Sequence, residues 1–185
     1  VIFLGVYFNS FLVNFDQWFN SVFTSNGNLF FDRFFYVFTV LFETIFAAIF
    51  TAVLFCFLFF TNRRKDSWIM AITLGGAAIL GEAIKFTVQR ARPLAQHFIT
   101  ETNYSFPSMH ALFSTAFMLS IIFLFKDKIT QGIWRKIFII VSIAVIVFVC
   151  LSRLYFGVHW FSDIIAGIVL GAGWFSFTHY VFRER

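Results

Sequence analysis

Apolar residues occupy this chain in long runs, and its polar positions gather in the short stretches between them. The complete runs are about 18 to 27 residues long, which suits a helix crossing the ~30 Å hydrocarbon core of a bilayer. They predict six spans, at roughly 1–13, 34–60, 67–85, 108–125, 133–151 and 160–182. Each is expected to be helical, because an open strand edge has no hydrogen-bond partner in lipid. The expected fold class is therefore all-α, an integral-membrane bundle of six transmembrane helices forming a single domain over 1–185. As a helix the first run covers only about 20 Å, so that span is expected to be incomplete. After it, Phe15, Trp18, Phe19, Val22 and Phe23 recur at i, i+3, i+4, i+7 and i+8 within residues 14–25. That spacing predicts a helix lying in the membrane interface and capped by Asn14. An aromatic belt in an irregular loop fits the same residues.

Composition strengthens the membrane reading, since 60% of residues are hydrophobic and only 12% are charged. A soluble domain needs far more polar surface. The many phenylalanines read as lipid-facing or packed side chains. A net charge of +5 raises the possibility of nucleic acid, but the basic residues fall in short clusters between apolar runs. No nucleic-acid partner is expected. Arg63, Arg64, Lys65, Lys126, Lys128, Arg135, Lys136, Arg183 and Arg185 fall on one side of the predicted spans. By the positive-inside rule that side, with both termini, is cytoplasmic. The opening VIFLGVYFNSFLV lacks the basic start of a secretory signal. Cys56 and Cys150 lie inside apolar runs and read as buried packing groups, with no disulfide expected.

Lys85, Arg90, Arg92 and Arg153 fall on the opposite, outer side, against the charge rule, so they need another role. Three polar clusters lie there at span ends: KFTVQRARP (85–93), FPSMH (106–110) and SRLYFGVHWFSD (152–163). Among their residues are the cations Lys85, Arg92 and Arg153, the histidines His110 and His159, the carboxylate of Asp163 and the hydroxyl of Ser108. Guanidinium groups match phosphate oxygens with two-pronged geometry and lysine adds a point charge, so an anion pocket is expected. Pro107 suits the first turn of a helix, leaving the amides of Ser108 and Met109 aimed outward at the positive end of the dipole. His110 falls in that turn. His159 and Asp163, spaced i, i+4, are expected on one helical face, the carboxylate fixing the tautomer and freeing the other ring nitrogen to attack.

These clusters resemble the three-part signature of the type 2 phosphatidic acid phosphatase superfamily, in its membrane lipid phosphatase branch. Lys85 with six residues to Arg92-Pro93, Pro107-Ser108-x-His110, and Ser152-Arg153 with five residues to His159 and three more to Asp163 occur in order. The resemblance covers about 34–182 and includes the six-span plan. It implies that His159 attacks phosphorus to form a phosphohistidine, that Asp163 orients it, and that His110 protonates the leaving oxygen and then activates water. It implies that Lys85, Arg92, Ser108, the Met109 amide and Arg153 hold the phosphoryl oxygens, with no metal and no cofactor. The implied partners are membrane lipids and a lipid phosphate: phosphatidylglycerol phosphate, undecaprenyl diphosphate, phosphatidic acid or lipid A 1-phosphate. The implied location is a bacterial cytoplasmic membrane with the site at the outer face. A phosphotransferase using the same intermediate, or a lipid-phosphate binder or flippase without turnover, would carry the same residues. Met109 stands where the signature commonly has glycine; within a helix it keeps its amide and adds bulk.

Other polar residues have simpler readings. Glu82, three residues before Lys85, is expected to pair with it, or to support it from behind the site. Glu43, well inside a span, is a functional candidate or a hydrogen-bonded packing residue. Arg90 reads as a solvated loop charge or a headgroup contact, His97 as exposed and idle, and His179 as an interface residue. Gly75, Gly76 and Gly81 read as close helix contacts.

Overall fold

In a computed structural model the described residues are 2–23, 28–94 and 96–183, with side chains described from Leu12 onward as far as Phe182. Their regular structure is helical throughout: α1 Ile2–Phe23, α2 Leu29–Leu41, α3 Thr44–Phe60, α4 Arg64–Val88, α5 Met109–Phe125, α6 Gly132–Tyr155 and α7 Phe161–Arg183, with a 3-10 turn at Lys126–Lys128. Four helices, α4 to α7, are each long and apolar enough to cross a membrane; α2 and α3 qualify only as a pair bent by 50°. Among the described residues four or five candidate spans thus stand against the six expected.

The differences lie in the first third of the chain. A span ending at 13 and a separate helix from 14 are replaced by one helix, Ile2–Phe23, with Asn14 inside it rather than at its start. No glycine or proline interrupts residues 6–23, so nothing local stops the helix. Residues 24 and 25 of the expected interfacial stretch, and Arg185 of the basic terminus, lie outside the described residues. The expected helix over 34–60 is broken at Phe42–Glu43. There Phe42 N and Glu43 N bond to Thr39 O and Val40 O at 3.2 and 3.1 Å, tightening the last turn, and Glu43 turns extended before α3 begins. Neither glycine nor proline marks the break. At the other end of α2, Asn28 caps the helix by accepting from Phe30 N at 2.9 Å.

Helix α5 is surrounded. Its neighbours Ala111 and Leu112, both fully buried, point about 100° apart and join different core clusters. Leu112 packs with Leu58, Met70 and Leu74 of α3 and α4, whereas Ala111 packs with Cys150 and Leu154 of α6 and Ile164 of α7. Gly167 and Gly171 let α7 approach: a Cβ on Gly167 would come within 2.7 Å of Ser108 O, and one on Gly171 would meet Leu112 O. This small-xxx-small pair was not singled out from the sequence. Gly76 and Gly81 are close contacts as expected, against Trp174 and Met109, but Gly75 has nothing within 4 Å. Buried hydroxyl pairs add polar links between helices, Thr39 with Ser152 at 2.9 Å and Thr73 with Thr178 at 2.7 Å. Cys150 is buried, Cys56 is exposed, and both are free. Outward-facing Ile45, Val53, Phe60, Ile79, Ile140 and Val169 leave an apolar exterior. His179 sits against Phe123 and Phe175 near the end of α7.

Candidate active site

The connection from α4 to α5 starts where Gln89 takes a left-handed conformation (φ 51) and ends α4. It folds back over the bundle, with His97 N bonding to Phe156 O at 3.1 Å and Ser105 N to Arg90 O at 2.8 Å. Opposite it, Gly157 (φ 63) turns the chain between α6 and α7, a conformation costly for a residue with a Cβ. His159 is thereby held in the link ahead of α7 rather than on it.

His159 is 2% exposed and Asp163 is fully buried, with Nδ1 3.5 Å from Asp163 Oδ2. The two side chains are neighbours, but not on one helical face. Asp163 Oδ2 reaches back over the first turn of α7 to accept from Trp160 N at 3.0 Å, and this brings it beside a residue outside the helix. On the other side of the ring, Nε2 lies 3.3 Å from Arg92 Nη1. Burial, then Arg153 and Arg92, then His110 and Lys85, hold the imidazole well below its ordinary range. The ring is therefore neutral near pH 7.

Arg92 is firmly held. It donates from Nε to Asn103 O (2.7 Å), from Nη1 to Val158 O (2.6 Å), and from Nη2 to Tyr104 O (3.2 Å) and to Asn103 Oδ1. Arg153, 1% exposed, donates from Nη2 to Glu101 Oε1 at 2.6 Å, while Glu101 Oε2 lies 3.5 Å from Arg92 Nη2. Burial works against the ionised form of Glu101, but Arg153 and Arg92 outweigh it and keep the carboxyl below its ordinary range. Arg153 Nε and Nη1, His110 Nε2 and His159 Nδ1 are buried without a hydrogen-bond partner among the described residues. A buried polar atom left unpaired costs about 1–3 kcal/mol; two such guanidinium donors together fit a bound oxyanion.

Lys85 is buried beside Glu82, Nζ to Oε1 3.8 Å, the expected pair. Ser108 is the N-cap of α5 and Met109 its first residue, so Pro107 precedes the cap instead of opening the first turn. The Ser108 amide, expected to be unpaired, donates to Asp163 O at 3.1 Å. The amides of Met109 and His110, in the first turn, retain no intrahelical partner. The bulk of Met109 is taken up by Gly81, where a Cβ would meet its Sδ and come within 3.0 Å of its Cε. His110 Nε2 lies 3.7 Å from Glu43 Oε2.

Several partners were missed from the sequence. Arg90, expected as a solvated loop charge or headgroup contact, is part-buried and bridges Asp163 Oδ1 at 2.6 Å and Asp16 Oδ2 at 2.7 Å. His97, expected to be idle, is half-buried with Nε2 3.3 Å from Asp32 Oδ1. Glu101 and Asn103 carried no spacing signal; an acid in a connection holding displaced cations was the only cue. Between α3 and α4 runs a cavity of about 600 Å³, walled by Ala47, Thr51, Ala71 and Gly75 and opening onto Glu82 and His110.

The model of the PAP2 superfamily matches residues 66–185. Phosphatidylglycerophosphatase B of Bacillus subtilis (strain 168) is 30% identical over 116 residues, which are 62% of this chain and 57% of that protein. Undecaprenyl-diphosphatase of Sulfolobus acidocaldarius is 34% identical over 128 residues, 65% of this chain and 56% of that one. The matches thus span a little over half the length of these relatives. In fold, the chain is similar to the crystal structure of the first transmembrane PAP2 type phosphatidylglycerolphosphate phosphatase from Bacillus subtilis. The TM-score is 0.85 at 22% identity, covering 95% of this chain and 88% of the other.

Proposed function

This chain belongs to the PAP2 superfamily, and from that premise we propose that it is a lipid phosphatase of the membrane, acting as one domain through a phosphohistidine. The observation that carries the reading is His159: buried, neutral, with Asp163 at one ring nitrogen and the Arg92 guanidinium 3.3 Å from the other. A nucleophile and a phosphate-binding cation stand side by side. His159 Nε2 attacks phosphorus, the bond from phosphorus to the lipid oxygen breaks, and its electron pair leaves on that oxygen, which His110 protonates. His110 then takes a proton from water as the water oxygen attacks phosphorus, the P–N bond breaks, and orthophosphate leaves. Lys85, Arg92, Arg153, the Ser108 hydroxyl and the Met109 amide hold the equatorial oxygens, as phosphoryl transfer chiefly requires. Three cations supply the charge without a metal.

The cavity between α3 and α4 supports a lipid substrate, because its lining is mostly apolar and includes His110. Its ligand is a phosphate monoester or diphosphate on a lipid headgroup, with the tail between the two helices. We read α1 and α3 to α7 as six spans and α2 as the interfacial helix. In support, both ends of α2 meet the last turns of α6, Asn28 N at Tyr155 OH (3.3 Å) and Thr39 at Ser152 (2.9 Å), while Phe30 and Phe31 are exposed. Arg63, Arg64, Lys65, Lys126 and Lys128 lie at helix ends away from His110 and His159, supporting an outer-face site with a cytoplasmic basic end. The test is phosphate release from vesicles holding phosphatidic acid, phosphatidylglycerol phosphate or undecaprenyl diphosphate in EDTA. Wild type is expected to turn over at least one of them and His159→Ala none; an active His159→Ala, or a wild type silenced by EDTA, sinks the mechanism.

A further inference from the structure

Asp163 is fully buried, and a buried carboxylate stays useful as an anion only if something compensates its charge and fixes its oxygens. Oδ2 accepts from Trp160 N at 3.0 Å and lies 3.5 Å from His159 Nδ1. Oδ1 accepts from Arg90 Nη1 at 2.6 Å. Arg90 is in turn shared. Its Nη2 donates to Asp16 Oδ2 at 2.7 Å, and its Nη1 also reaches Ser162 Oγ at 2.7 Å.

Asp16 comes from α1 and is 1% exposed. Both of its oxygens are used: Oδ1 accepts from Ser162 N at 2.9 Å, and Oδ2 accepts from Ser162 Oγ at 2.5 Å as well as from Arg90. The guanidinium lies over the Trp160 ring, 5.6 Å from its centroid, and Trp160 Nε1 donates to Ala91 O at 2.9 Å. The fork is thus fixed on three sides, and the residues it touches, Trp160, Ser162 and Asp163, flank the start of α7 next to His159. A solvent-exposed stitch between α1 and the bundle would need none of this convergence. Asp16 also balances Arg90. With one guanidinium between two carboxylates, Asp163 keeps net negative charge to offer an imidazole that becomes cationic when it bonds to phosphorus.

Resting on the phosphatase reading above, we propose that Asp16 and Arg90 are positioning residues for the nucleophile: Asp16 holds the Arg90 fork, and the fork holds Asp163 against His159. Helix α1, which precedes the part of the chain matched by the family, thereby contributes to the site. Lysine cannot replace Arg90, because a single ammonium does not reproduce a planar fork bridging two carboxylates.

The test uses the full chain in detergent with dioctanoyl phosphatidic acid or another lipid phosphate that wild type hydrolyses, and reads kcat, KM and trapped phosphoenzyme. Asp16→Asn and Arg90→Lys are expected to lower kcat about tenfold or more, the scale seen when a group orienting a site residue is lost, with KM within about threefold. Asp16→Asn is expected to have little further effect in an Asp163→Asn background, because the two act in series. Full kcat in Asp16→Asn, or losses that multiply in the double variant, overturn the proposal. If Asp16→Asn does not fold, Ser162→Ala removes one of its hydrogen bonds and carries the same expectation. His159→Ala run alongside separates the two layers. An active His159→Ala removes the phosphatase mechanism itself, whereas an inactive one beside a fully active Asp16→Asn removes only the role of Asp16.

Discussion

Glu43 Oε2 lies 3.7 Å from His110 Nε2, an acid at the start of α3 facing a histidine at the start of α5. The helix break that ends α2 is what brings it there: Glu43 occupies the extended cap position with its carboxylate half exposed beside the cavity. An anion at Nε2 draws the ring proton to that nitrogen and stabilises the imidazolium formed during proton transfer.

Glu43→Gln is therefore expected to slow turnover about tenfold, part of the 100- to 10,000-fold that general acid–base catalysis supplies. Rapid-quench measurement of phosphoenzyme separates the two chemical steps. Accumulation of phosphoenzyme in the variant supports a role in hydrolysing the intermediate; unchanged formation and decay would remove Glu43 from the mechanism.

His159 is held well below the ordinary imidazole range by burial and its cationic neighbours. The rate of phosphoenzyme formation is expected to show no His159 acid limb near pH 6.5, the ordinary value, but only well below it. The same shift sets a stability trend. The folded ring stays neutral while the unfolded one takes a proton below about pH 6.5, so its contribution falls as pH drops from there toward the folded value. Formation rates from pH 5 to 8, compared with thermal melts, check both.

Glu101 stands beside the guanidinium pair that an oxyanion would use, 2.6 Å from Arg153 Nη2 and 3.5 Å from Arg92 Nη2. Glu101→Gln removes a competing negative charge and is expected to tighten orthophosphate inhibition by about threefold or more. Because Arg153 and Arg92 lower the folded carboxyl, its stabilisation is present in full above about pH 4.3, the unfolded value. It is lost as pH falls through the folded value. Inhibition constants and melts of wild type and variant between pH 3 and 7 test the pair of expectations.

Met109 packs into the space that Gly81 leaves. Gly81→Ala is expected to destabilise the protein by about 1–3 kcal/mol through overpacking, and Met109→Gly in the same chain to recover most of the loss. Melting temperatures in detergent decide it. Equal destabilisation with and without Met109→Gly would mean that the two residues are not coupled.

Much of the candidate site was legible because its residues declare themselves by chemistry. Lys85, Arg92 and Arg153 are cations at the opposite helix ends from the other basic clusters, and the His110 and His159 clusters interrupt apolar runs. The Glu82–Lys85 pair follows from helical spacing alone. Other relationships were not legible. Glu101, Glu43 and Asp16 reach the site from a connection and two helices distant in sequence, and no local pattern states where such side chains end. The break before Glu43 has no glycine or proline to announce it, and α1 runs on past the expected boundary because nothing stops it.

What the amino-acid order determined by itself is the four long apolar helices α4 to α7, and the identity of the polar residues at their ends. Periodicity and hydrophobicity are local properties, written into neighbours a turn apart. Tertiary structure alone decided which carboxylate stands beside which cation or histidine. His159 meets Asp163 across a turn rather than along a helix, and Asp163 meets Asp16 through Arg90. Such pairings depend on how close the helices pack, which Gly81, Gly167 and Gly171 set, and on a connection whose backbone must find its hydrogen bonds over the ends of the bundle.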